Sequence, residues 1–124
     1  MAKRKAKKTT RRRPAKQRSK GPKIVKLPKH AVTLIALLRS REGQQLLLEA
    51  ELRALVNPTR KEEGCLQYDL HHSLEQPELF LLHEVWESRD HHTAHTRTSH
   101  FLRWNARKDA LLTSRDATFW QQIA

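Results

Sequence analysis

Residues 65–87, CLQYDLHHSLEQPELFLLHEVWE, alternate in side-chain character with a period of two on either side of LEQPE. Such a pattern predicts two antiparallel strands, 65–73 and 79–87, joined by a loop of about five residues built around Pro77. Successive strand residues point to opposite faces. Leu66, Tyr68, Leu70 and His72 are therefore expected on one face of the first strand, and Phe80, Leu82, Glu84 and Trp86 on one face of the second.

The flanking sequence supplies partners for this hairpin. HAVTLIALLR is short, apolar and rich in β-formers, which predicts a buried strand over 31–39. EGQQLLLEAELRALVN places Leu48, Leu52, Leu55 and Val56 on one stripe with charges opposite. The stripe predicts an amphipathic helix over 42–57 that Ser40 can cap, that Pro58 bends or restarts, and that Gly64 ends. Beyond the hairpin, Ser88 can cap a short helix in RDHHTAHTR, and Phe101, Trp104 and Leu111 mark a second helical piece over 99–112. TFWQQIA, at the end, is expected to be the last strand. The order β-α-β-β-α-β predicts an α+β, ferredoxin-like antiparallel sheet with helices on one face. Its other face, left bare with apolar side chains, is expected to pack on a second subunit, to surround a ligand, or both.

Charge divides the chain. Residues 1–30 carry 14 Lys and Arg and no acid, while the remainder carries 11 Lys and Arg against 13 Asp and Glu. The net +12 is therefore a property of the first thirty residues. That stretch has no Trp, Tyr or Phe and only Ile24, Val25 and Leu27 as large aliphatics after Met1. It is expected to be a disordered basic tail (1–30) ahead of a single domain (31–124). Such a tail binds polyanions at low salt, and contact with about 6–10 phosphates would lose roughly 10³–10⁵ in affinity between 50 and 200 mM salt. Without an aromatic to stack on bases, nucleic-acid binding through 1–30 should be non-specific. In a nucleated cell KRKAKK and RRRPAKQR would read as nuclear localisation clusters.

The single cysteine, Cys65, excludes an internal disulfide and a cysteine-rich zinc framework, and it fits a reducing, cytoplasmic setting. AVTLIALL is too short for a membrane span, and the sequence after it lacks a signal-peptidase site. Of the eight histidines, His71 with His72 and His91 with His95 suggest metal-ligand spacing. Adjacent strand residues face opposite ways, however, so His71 and His72 cannot share an ion, and no metal is expected. Glu84, a carboxylate inside an apolar strand, needs a partner: an arginine would make its role structural, and a substrate or a histidine would make it functional.

PTRKEEGCLQYDLHHSLEQPELFLLHEVWESRD, followed by AHTRTSHF, resembles the antibiotic biosynthesis monooxygenase domain family, which includes small quinol monooxygenases. The shared pieces are PTR with the following Glu-Gly-Cys, the YDLH strand, E-x-W-E-S at 84–88, and the histidines of AH and HF, His95 and His100. The resemblance covers 31–123 and is most specific over 58–101. It implies a dimeric α+β barrel with a mostly apolar pocket in each subunit. It also implies oxygenation of an electron-rich aromatic by O₂ without flavin, haem or metal, hence no cofactor. The matching positions are Tyr68, Glu84, Trp86, His95, His100 and Phe101. His95 or His100 would accept the proton, since imidazole titrates near neutrality. Glu84 would orient a histidine or bind a substrate hydroxyl, and Tyr68, Trp86 and Phe101 would form the wall for a flat ring. Asn105 is placed with the substrate-binding group. Haem-degrading relatives use an Asn, a Trp and a His, where this chain offers His95 and Asn105 for the last two, which sets haem degradation aside. Another branch isomerises a phosphorylated dione and remains open, as does a non-catalytic small-molecule-binding barrel tethered to nucleic acid by the tail.

Overall fold

The computed structural model describes residues 27–124, and the tail expected to be disordered lies, up to residue 26, outside the described residues. The elements run β1 (Val32–Ser40), α1 (Gln45–Arg60), β2 (Cys65–His72), β3 (Leu79–Trp86), α2 (Arg89–His95), α3 (Ser99–Leu111) and β4 (Leu112–Trp120). The four strands form one sheet in the order β2-β3-β1-β4, with every neighbouring pair antiparallel. This is the ferredoxin-like α+β architecture that the element order predicts.

The inner face of the sheet carries Leu34, Ala36 and Leu38 from β1, Phe80, Leu82, Glu84 and Trp86 from β3, and Tyr68 from β2. Ala36, Leu38, Phe80, Leu82, Trp86 and Tyr68 of this group join Leu48, Leu52 and Leu55 of α1 and Trp104 and Leu111 of α3 in one core. Leu48 and Leu52 are fully buried, each contributing on the order of 1.5–3 kcal/mol.

Several expectations are corrected. The first helix starts three residues later than expected, after Gly43 at φ +79°, and Gln44 stands at its N-cap without a side-chain hydrogen bond. Ser40 does not cap it; Ser40 is the last residue of β1 and is buried. Pro58 does not restart the helix but lies within it, and α1 continues to Arg60. A proline three residues from the end removes one N–H, and the chain still turns around it. In the hairpin the β2–β3 register shifts between Cys65, opposite Trp86, and Gln67, opposite Val85. Leu66 is the extra residue of this bulge, so it is exposed rather than inward beside Tyr68, and Cys65 packs on the core in its place. The last strand is not TFWQQIA. α3 runs straight into β4 at Leu112, and the final four residues lie beyond the strand. As an edge strand, β4 is polar along much of its length, so apolar alternation identifies only its far end.

Candidate functional site

Three separate segments converge at one end of the inner sheet face. Past α1 the chain makes two tight turns, with Glu62 N–H donating to Thr59 O and Cys65 N–H to Glu62 O. Arg60 anchors this corner to β2 by donating from Nε to Tyr68 O (2.9 Å) and from Nη2 to Asp69 Oδ1 (2.8 Å). Gly64 closes the corner at φ +81°, and an added Cβ there would lie 2.2 Å from the His91 ring. Only glycine satisfies both the backbone and the contact. On the opposite side Ser88 caps α2 by accepting from His91 N–H, and Thr98 caps α3 by accepting from Phe101 N–H. The two caps bring His95, at the end of α2, and His100, in the first turn of α3, towards Glu62.

His95 Nδ1 lies 2.8 Å from Glu62 Oε2, and His100 Nε2 lies 2.6 Å from the same oxygen. A carboxylate oxygen facing two ring nitrogens accepts, so each ring donates its N–H from these nitrogens. His95 is thereby left with a free lone pair on Nε2. The ring is 1% exposed and sits among aromatics: Trp86 at 4.8 Å between centroids, Phe101 at 5.0 Å and Tyr68 at 5.8 Å. Burial pushes the His95 imidazole below its ordinary pKa, while the hydrogen bond and charge of Glu62 pull the other way.

Glu84 faces the same space from β3 and is 4% exposed. Its Oε1 accepts from Trp86 Nε1 at 2.9 Å. Burial raises its carboxyl to about 7, and the Trp86 hydrogen bond and the charge of Arg115 oppose part of that rise. Near neutrality Glu84 thus exchanges between an acid that donates and a carboxylate that accepts. Burial likewise holds the Tyr68 phenol well above its ordinary range, so Tyr68 stays neutral.

These side chains line a cavity between sheet and helices, closed on its apolar sides by Leu34, Leu82, Phe101 and Trp104. Its volume is about 20 Å³, room for roughly one water molecule. A ring-sized ligand therefore needs lining side chains to move aside.

Of the residues singled out from sequence, Tyr68, Glu84, His95 and Phe101 line the cavity, Trp86 packs on His95 behind it, and His100 meets His95 through Glu62. Asn105 does not join them; it is exposed on α3. Three residues were missed. Glu62 is one of seven carboxylates or amides between Glu42 and Gln67 and carries no local signal of its partners. His92 lines the cavity between Trp86 and Phe119, and burial lowers its imidazole to about 4. Arg115 reaches the cavity from β4, a strand whose position the sequence did not reveal. An arginine near Glu84 is thus present, although no ion pair joins the two.

The remaining histidines behave as packing or surface groups. His72 stacks on Phe80 at 4.5 Å and its Nε2 meets Pro77 O, while His71 is exposed. Cys65 is held inert, since burial pushes its thiol up to about 11. A larger open groove between α1 and β2, about 370 Å³, has both of its arginines paired already: Arg53 with Glu49, and Arg60 with Asp69.

Comparison with known proteins places this arrangement. The family model of antibiotic biosynthesis monooxygenases matches residues 31–107. The crystal structure of PA3566 from Pseudomonas aeruginosa is 40% identical with a TM-score of 0.75, over 77% of this chain and 97% of that one. Rv0793 from Mycobacterium tuberculosis is 38% identical over 82 residues, 66% of this chain and 80% of its own length. The structure of Rv0793 superposes with a TM-score of 0.72. With the match running from β1 through the hairpin and α2 into α3, the chain belongs to the antibiotic biosynthesis monooxygenase family.

Proposed function

We propose that the protein is a cofactor-independent monooxygenase that oxidises a small, electron-rich aromatic such as a quinol. The observation that carries this reading is His95, a buried imidazole fixed by Glu62 through Nδ1 and presenting a free Nε2 on a ring that lines an apolar cavity. Nε2 takes the phenolic proton of the substrate, and the Glu62 carboxylate stabilises the imidazolium that forms. The phenolate passes one electron to O₂, the two radicals combine at a ring carbon, and the hydroperoxide loses water. One oxygen atom stays on the ring and the other leaves as water. The substrate supplies every electron, so a quinol plus O₂ gives a hydroxyquinone plus H₂O. Glu84 meets a substrate hydroxyl, and Phe101 and Tyr68 flank the ring.

The subunit is proposed to work as a homodimer through the outer sheet face, where Leu37 and Trp120 are exposed beside Ile35 and Leu81. The basic tail is proposed to add non-specific, salt-sensitive contact with nucleic acid.

The test is oxygen uptake by chelator-treated protein with hydroquinones, naphthohydroquinones and anthrones, beside a His95→Ala/His100→Ala double variant. Uptake above autoxidation that the double variant loses is the expected result. Uptake no faster than autoxidation for every compound would sink the proposal, and product formation without oxygen consumption would point to isomerisation instead.

A further inference from the structure

We propose that Glu62, His95 and His100 form a binding site for a divalent first-row transition ion of the zinc–cobalt class. The three are spread over 39 positions of sequence, yet one donor atom from each lies within 4.8 Å of the other two, the only such group of three among the described residues. Two imidazoles and one carboxylate are the donor set that borderline ions take, with a fourth position left for water or another ligand.

The geometry is close to what such an ion needs. Bonds of about 2.0–2.2 Å in a tetrahedral arrangement put donor atoms roughly 3.3 Å apart. The two imidazole nitrogens stand 2.8 and 2.6 Å from Glu62 Oε2, so turning that carboxylate outward by less than about 1 Å opens the space. All three donors are held from behind: Glu62 by the turn after Arg60, His95 by its aromatic neighbours, and His100 by the Thr98-capped turn of α3. Binding exchanges two N–H···O bonds for three metal bonds and moves the protons on His95 Nδ1 and His100 Nε2 to the opposite ring nitrogens, because each ring ligates as the neutral imidazole. On His95 this loads Nε2, the nitrogen that the oxygenase reading uses as base. On that reading an ion bound here switches the base off. The binding itself does not rest on it.

The experiment is titration of the full chain with Zn²⁺ by calorimetry and with Co²⁺ by visible absorption, beside Glu62→Gln, His100→Ala and the surface double variant His71→Ala/His72→Ala. Circular dichroism confirms folding of each. The expected result is one ion per chain, an intense visible Co²⁺ spectrum of tetrahedral type, affinity unchanged in the surface variant, and losses in Glu62→Gln and His100→Ala beyond the roughly 10–100-fold that an outer partner's removal costs. Absence of stoichiometric binding, or affinity that survives in both site variants, would overturn the proposal. So would affinity that falls with the surface pair. Because these readouts need no substrate, a protein that binds the ion but shows no oxygen uptake, or the reverse, separates this proposal from the oxygenase reading.

Discussion

The histidines of β2 and those flanking the α2–α3 turn look alike in sequence and differ in almost every physical respect. His71 and His72 are adjacent, exposed and on opposite faces of a strand. His95 and His100 are five positions apart at a helix junction, and they share one carboxylate oxygen contributed from more than thirty residues upstream. Proximity along a chain says little about convergence. What assembles the second pair is the corner after α1, which the first pair has no counterpart for.

Breaking the assembled pair should have the largest effect. His95→Ala is expected to lower oxygen-uptake rates by about 10²–10⁴-fold, the range for loss of a general base, while His71→Ala leaves them within roughly twofold. Equal losses in the two variants, measured at saturating substrate, would erase the distinction.

Glu62→Gln sharpens the comparison, because it keeps the hydrogen bond and removes the charge. Glu62 raises the His95 pKa, so without that charge the pKa falls further. The acidic limb of the kcat/KM profile, where His95 is protonated and unable to act, should move to lower pH, and the plateau should drop. An unmoved limb would mean that Glu62 does not govern the base.

A third effect appears in stability. Glu84 titrates near 7 in the folded protein against 4.5 as its ordinary value. Between those values the folded state holds a proton that the unfolded state has lost, so stability decreases as pH rises and the full cost is present above 7. The shift corresponds to about 3 kcal/mol. Glu84→Gln keeps an oxygen acceptor for Trp86 Nε1 and should be more stable than the parent at pH 8 by up to that amount, with no gain at pH 4. Urea denaturation at the two pH values checks both the sign and the window. A gain of equal size at both would assign the effect to packing instead.

The smallest change is expected at β2. His72→Ala removes one stacked ring from Phe80 and should cost on the order of 0.5–1.5 kcal/mol, read as a shift in the denaturation midpoint without loss of activity.

The fold was largely legible because its signals are local. Alternation over β2 and β3 and the Leu48–Leu52–Leu55 stripe of α1 each follow from burying one face of a regular element, and their order leaves few topologies. Ser88 as the cap of α2 is equally local, a hydroxyl that satisfies an N–H three residues on. The family, too, could be seen in the motif over 58–101, and with it Tyr68, Glu84, Trp86, His95, His100 and Phe101. What the linear pattern misjudged lies where tertiary packing overrides period: Leu66 turned outward by a bulge, Pro58 carried within α1, and β4, an edge strand too polar to announce itself.

The site itself divides along the same line. Strand periodicity alone determined that Glu84 would share a face with Phe80, Leu82 and Trp86, and the family motif singled out His95 and His100 beside it. Only the tertiary structure decided that Glu62 holds His95 and His100 at one oxygen, that His92 and Arg115 border the same cavity, and that Asn105 does not. Those relations are distances between segments far apart in sequence, and they come into being when the sheet order and the corner after α1 are assembled.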